Sequence, residues 1–164
     1  MIVALWLAPG ADVDALANVG GRVCIAVDDQ PYTRDPVDVL LEVPDDYDVA
    51  PLIRLARSMD CIPVETHVQL DGPTSPSVTM VAFVRRAEGL THEEFVEHWT
   101  QRHAPLALKH HIGLVRYVQH VVTDGGAVDG IAELTFASRK DYDTKFYDDE
   151  TGKAIIREDV KKFI

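Results

Sequence analysis

The sequence predicts an α+β fold made of two βαββαβ-type units, the second lacking its last strand. Three observations carry this prediction. Short apolar runs alternate with capped amphipathic stretches in the same order twice along the chain. A segment rich in Pro, Gly and Ser, DGPTSPS at 71–77, separates the two sets. The composition is that of an ordinary globular chain, with 164 residues, 46% hydrophobic and 26% charged, enough for one medium domain or two small ones.

The first unit is expected over residues 1–72. IVALWLA (2–8) is a short apolar run closed by Pro9-Gly10 and reads as a strand, not as a secretory leader, because no basic residues precede it. Asp12 caps a short helix on which Val13, Leu16 and Ala17 recur at helical spacing, and Gly20-Gly21 stops it. RVCIAV (22–27) is a β-branched strand, DDQPYTRDP a loop, and VDVLLEV (37–43) a further strand. Asp48 caps a predicted helix VAPLIRLARSM, with Leu52, Leu55, Ala56 and Met59 on one stripe. IPVETHVQL (62–70) closes the unit as a strand, with Ile62, Val64, Thr66, Val68 and Leu70 on its inward face. Glu65, His67 and Gln69 then face solvent.

The second unit is expected over residues 77–164. VTMVAFVRR (78–86) is a strand. Thr91 opens a capping box with Glu94, and the following helix aligns Phe95, Trp99 and Arg102/His103 until Pro105 bends or interrupts it. VRYVQHVV (115–122) and GIAELTFA (130–137) are strands joined through Gly125-Gly126. Residues 139–164 are helical in pieces, with Gly152 as the expected interruption. The order is βαββα, and a strand equivalent to 62–70 is missing at the end.

A βαββαβ unit of this kind is the ferredoxin-like split βαβ: one antiparallel sheet with helices on one side. Its other face needs cover, and two units suggest sheet-on-sheet packing. Cys24 and Cys61 then fall on opposite sheet edges, roughly 14 Å apart across three strand spacings, beyond the roughly 7 Å that a disulfide tolerates. Both lie in apolar runs and are expected to be buried, inert thiols. With no leader, they fit a reducing, cytoplasmic setting.

The net charge is −11, of which residues 1–76 carry −9 and residues 77–164 carry −2. Such a chain repels phosphate backbones, so nucleic acid is not an expected partner. No apolar run approaches the roughly 18 residues of a membrane span. Phosphate-binding glycine loops, nucleophile elbows and zinc-protease motifs are absent from the sequence, and no metal or cofactor is expected.

The stretch TMVAFVRRAEGLTHEEFVEHWTQRHAPLALKH resembles the opening of the EthD family. The likeness rests on a strand ending in basic residues, Gly89, and then Phe95, Trp99, His103, Ala104, Pro105 and Leu106. RYVQHVV and DGIAELTFAS extend it, so that it covers about residues 78–164. The first half shares only the order of elements, as a degenerate ferredoxin-like repeat would. The resemblance implies a dimeric α+β barrel, in which two ferredoxin-like units face each other through their sheets around a small cavity. That barrel closes either within one chain or across a homodimer. Members accompany degradation of ethers and aromatics, and fungal relatives dehydrate aromatic polyketides. Related barrels include isomerases, cyclases, cofactor-free oxygenases and haem enzymes.

The site must then come from side chains. On GIAELTFA, Ala132, Leu134 and Phe136 form a clean apolar face for the helices, so Ile131, Glu133 and Thr135 point the other way. Glu133 is thus a candidate general acid or base, raised in pKa by an apolar cavity, or else an ion-pair partner of Arg85 or Arg116. His103, four residues from Trp99, is a second catalytic candidate or a structural cap. VRYVQHVV allows two registers. One presents Tyr117 and Gln119 to the ligand, a phenol and an amide for a carbonyl; the other presents Arg116 and His120. Glu133, His103 and Tyr117 are therefore the catalytic candidates. Trp99, Gln119, His120, Phe83, Arg85 and Ile131 are the candidate substrate contacts. His92 is expected to be exposed, and His110 and His111 to complement a helix C-terminus.

The expected function is binding of a small hydrophobic carbonyl or aromatic metabolite, with cofactor-free dehydration, isomerisation or cyclisation by acid–base chemistry. A non-catalytic binding or scaffold module, with Glu133 ion-paired, is the alternative. A haem-dependent or cofactor-free oxygenase is the third reading.

Overall fold

In a computed structural model the described residues are 1–25, 38–73 and 77–164. The expected loop at 28–36 and part of the 71–77 segment lie outside them. Helices and antiparallel sheets are mixed, and the fold is α+β. The chain divides into two compact units, Met1–Val64 and Glu65–Ile164.

The first unit holds β1 (Ile2–Leu7), a 3-10 turn (Val13–Asn18), β2 (Arg22–Ile25), β3 (Val39–Glu42), the four-residue helix α1 (Ala50–Ile53) and β4 (Ala56–Ile62). Its sheet order is β2-β3-β1-β4, with antiparallel pairs throughout. Val3, Leu5, Val39 and Leu41 share one face and pack with Leu16, Val19 and Leu52.

The predicted helix over 49–59 is helical only at Ala50–Ile53 and gives way to strand from Ala56. Asp48 accepts from the Ala50 N–H at 3.0 Å, but helix ends at Ile53, and residues 56–62 pair along β1. The helical spacing of Leu55, Ala56 and Met59 yields to the open edge of β1, whose N–H and C=O groups need partners. β2 and β4 lie at opposite sheet edges, and Cys24 and Cys61 form no disulfide. Neither thiol is buried as expected: Cys61 is exposed and Cys24 half-buried, both on edge strands.

The second unit begins with β5 (Val64–Leu70), followed by β6 (Val78–Val84), α2 (His92–Glu97), a π turn (His98–His103), α3 (Ala104–His110), β7 (Leu114–Val122), β8 (Gly130–Phe136), α4 (Arg139–Lys145) and α5 (Glu150–Val160). The sheet order is β5-β7-β8-β6. Residues 62–70 therefore do not form one strand closing the first sheet. Pro63 divides them, and 64–70 join the second sheet beside β7. The second sheet thus has four strands, its fourth drawn from upstream.

One face of this sheet is apolar and meets the helices. Met80, Ala82 and Val84 of β6, Tyr117 and Val121 of β7, and Ala132, Leu134 and Phe136 of β8 pack with Phe95, Trp99, Ala104 and Phe163. The Thr91 capping box forms as read, its hydroxyl accepting from the Glu94 N–H while Glu94 accepts from the Thr91 N–H.

Pro105 does not break the helix but stands beside a π turn. The Ala104 N–H reaches back five residues to the Trp99 carbonyl. The same carbonyl accepts the Gln119 amide at 3.0 Å, which ties the turn to β7.

Gly152 does not interrupt the C-terminal helices. The break falls at 146–149, and Asp149 caps α5 by accepting from the Gly152 N–H. A Cβ at Gly152 would lie 2.5 Å from His110 Nδ1 and collide with the Asp148 carboxylate. Glycine is there to let that His–Asp pair pass. Among the described residues no helix is long and apolar enough to cross a membrane.

Candidate functional site

β8 is buried along its whole length, and its strict alternation sends Ile131, Glu133 and Thr135 to the face away from the helices. β7 settles its two registers the same way. Tyr117 and Gln119 turn toward the helices, whereas Arg116, Val118 and His120 share the Glu133 face, His120 paired across to Ile131 and Val118 to Glu133.

The central feature of that face is a His–Glu pair. His120 Nε2 lies 3.2 Å from Glu133 Oε1, and the two side chains are 0% and 2% exposed. The other ring nitrogen, Nδ1, lies 3.0 Å from the Thr66 hydroxyl on β5. A carboxylate oxygen can only accept, so in the neutral ring Nε2–H donates to Glu133 and Nδ1 accepts from Thr66. The three groups form a chain of hydroxyl, imidazole and carboxylate. Thr135 and Thr79 share a hydroxyl hydrogen bond of 3.0 Å on the same face, and Phe83 pairs with Ile131 there. Arg116 approaches Asp71 at 3.8 Å.

The remaining candidates are placed elsewhere. Tyr117 is buried among Phe95, Trp99 and Phe136; its hydroxyl accepts the Gln119 amide at 2.8 Å, and burial pushes its pKa up, so the phenol stays protonated. Gln119 also accepts from Gln69 at 2.8 Å. Neither side chain shares the Glu133 face. Trp99 is fully buried in the helix-side core, 5.3 Å from Phe95 ring to ring. Arg85 donates to the Ala127 carbonyl in the β7–β8 loop at 3.0 Å. Glu133 bonds His120.

His103 is held in the helical layer. Its Nδ1 bonds Asp159 Oδ2 at 3.0 Å, and His98 Nε2 bonds Asp159 Oδ1 at 3.1 Å. Phe163 packs on both rings, at 4.9 and 5.0 Å. Desolvation lowers the His103 pKa despite the opposing pull of Asp159. For Asp159, burial raises the pKa, but bonds from His103, His98 and Lys162 outweigh it and hold it below the usual value.

His110 and His111 are buried and not merely dipole-facing. His110 Nδ1 bonds Asp148 Oδ2 at 2.8 Å, and His111 Nδ1 bonds the Phe146 carbonyl. His92 is partly exposed and reaches Asp129 at 3.4 Å.

Two participants escaped the sequence reading. Asp159 sits on the apolar stripe Ile156-x-x-Asp159-x-x-x-Phe163, where an acid on the buried side of a helix is itself a signal. Thr66 is a polar residue within the apolar row Val64, Thr66, Val68. Among the described residues, no group of three or more His, Cys, Asp or Glu side chains is placed to hold a metal ion.

No curated protein matches this chain. The F-x-x-x-W-x-x-x-H-A-P string occupies α2, the π turn and the start of α3, and its Phe95, Trp99 and His103 are core and anchoring residues. Residues 87–164, which carry that string together with His120 and Glu133, match the family model of the EthD domain.

Proposed function

We propose that the second unit binds a small hydrophobic carbonyl or aromatic molecule and moves a proton on it with the His120–Glu133 pair, without a cofactor. The observation that carries this reading is the 3.2 Å bond between two ionisable side chains on the sheet face away from the helices. A carboxylate that fixes an imidazole in one tautomer stabilises the imidazolium formed when the ring takes a proton, which is what general acid–base work requires. Dehydration, isomerisation and cyclisation need little else besides a shaped apolar pocket. The reading includes two ferredoxin-like units and a homodimeric α+β barrel. The β2-β3-β1-β4 order of the first sheet supports the first of these.

A generic proton-abstraction probe tests the assignment. The ring opening of 5-nitrobenzisoxazole needs only loss of one C–H proton and is followed by absorbance. The wild-type protein is expected to accelerate it, and Glu133→Gln to lose about a hundredfold of that rate with an unchanged circular dichroism spectrum. Equal rates in the two proteins would overturn the assignment. Native mass spectrometry on gently purified protein is expected to show twice the 18.2 kDa chain mass with a retained small molecule.

A second reading has its own support. His120 and Glu133 are almost fully buried and bonded to each other, as in a structural pair within a non-catalytic module. In that case Glu133→Gln lowers the melting temperature, and neither protein turns over the probe.

A further inference from the structure

The His120–Glu133 pair is sealed from solvent, whereas Thr66, hydrogen-bonded to it, is exposed at the sheet edge. Thr66 lies upstream of the family-matched residues 87–164 and is brought to the pair only because β5 joins the second sheet. The distances, 3.0 Å from hydroxyl to imidazole and 3.2 Å from imidazole to carboxylate, are those of an activated nucleophile with an oriented base. The hydroxyl is the exposed member of the chain, and a molecule arriving from outside reaches it first.

We infer that Thr66 is an acyl-accepting nucleophile, and that the site takes small, apolar esters or thioesters. The inference rests on the proton-transferring role given above to His120 and Glu133. Thr66 Oγ attacks the acyl carbon and forms a C–O bond while its proton passes to His120 Nδ1. The carbonyl π pair moves to oxygen. The imidazolium keeps its Nε2–H on the Glu133 carboxylate. As the oxygen pair re-forms the carbonyl, the bond to the leaving alcohol or thiol breaks, and that group takes the proton from Nδ1. Water then repeats the steps on the acyl-threonine, releasing the acid and restoring the Thr66 hydroxyl. The sum is ester plus water giving acid plus alcohol, with no redox change.

The test uses the full chain and p-nitrophenyl acetate. An initial burst of p-nitrophenolate is expected, with one acetyl group located on the peptide containing Thr66 by mass spectrometry. Thr66→Ser keeps the hydroxyl and is expected to retain burst and adduct. Thr66→Val keeps the shape of an exposed β-branched residue and is expected to lose both. Acetylation of lysines alone, or an undiminished burst in Thr66→Val, would overturn the inference. The same Thr66→Val protein is assayed with 5-nitrobenzisoxazole. Full turnover there, with no acetyl-Thr66 in the wild type, sinks the nucleophile and keeps the acid–base pair. No turnover in the wild type or the variant, again without acetyl-Thr66, sinks both.

Discussion

Replacing Trp99 by alanine is expected to cost about 3–5 kcal/mol of stability, the range for emptying a large aromatic site in a packed core. Trp99 is 1% exposed and is among the largest fully buried side chains. It packs against the tilted ring of Phe95, and its indole covers Gly130 at the start of β8. That last contact makes the prediction sharper. A Cβ at Gly130 would collide with the Trp99 ring, 2.6 Å from one of its carbons. Gly130 has no positive φ, so its need for glycine is one of space alone. Gly130→Ala in the wild type should therefore cost about 1–3 kcal/mol by overpacking. In a Trp99→Ala background the same change should cost much less, because the ring is gone and only the His120 carbonyl, 3.2 Å away, stays close. Urea titrations of the four proteins measure the coupling. Additive losses would show that Trp99 and Gly130 do not compete for one volume.

Asp159→Ala should cost about 2–3 kcal/mol, since it removes the buried carboxylate that bonds His98, His103 and Lys162 and strands the two imidazoles. Its pH signature separates it from a simple packing loss. The Asp159 pKa is held below its ordinary 3.8, so its stabilisation is complete above that value and is lost as pH falls through the folded pKa. The His103 pKa lies below its ordinary 6.5, and burial lowers that of His111 likewise. An imidazole kept neutral costs stability in the opposite range. As pH falls below 6.5 the unfolded chain binds protons that the native one refuses. The wild type should thus weaken in two stages, from about 6.5 downward and again below about 3.8. The variant should lose the Asp159 share of the lower stage, to which Asp129 and Asp148 also contribute. Its upper stage should deepen, because Asp159 no longer favours the His103 imidazolium. Parallel stability–pH curves for the two proteins would contradict the Asp159 anchor.

What could be read from the chain depended on how clean each local pattern was. In GIAELTFA every second residue is apolar, so the Glu133 face followed at once and the structure places it there. VRYVQHVV mixes polar and apolar residues on both faces. Its register is set by partners remote in sequence: the Trp99 carbonyl takes Gln119, and the core takes Tyr117. Residues 54–59 carried helical spacing that tertiary pairing with β1 overrode. Gly152 looked like a helix breaker because the His110–Asp148 pair it accommodates joins residues 38 apart. For the same reason His103 drew attention for its family string, while Asp159, which positions it, carried no string at all.

The route of β5 bears on how the protein can be divided. The family-matched stretch starts at residue 87, and the Pro/Gly/Ser segment before it is the natural place to cut. A fragment cut there would keep Phe95, Trp99 and the C-terminal helices but lose Val64–Leu70. The nine-residue strand β7 would then present bare backbone donors and acceptors along the edge that β5 now covers. It would also lose Thr66, the exposed hydroxyl bonded to the buried pair. The boundary of the recognisable domain and the boundary of the smallest self-sufficient piece are different residues. Dissection of this protein should respect the second.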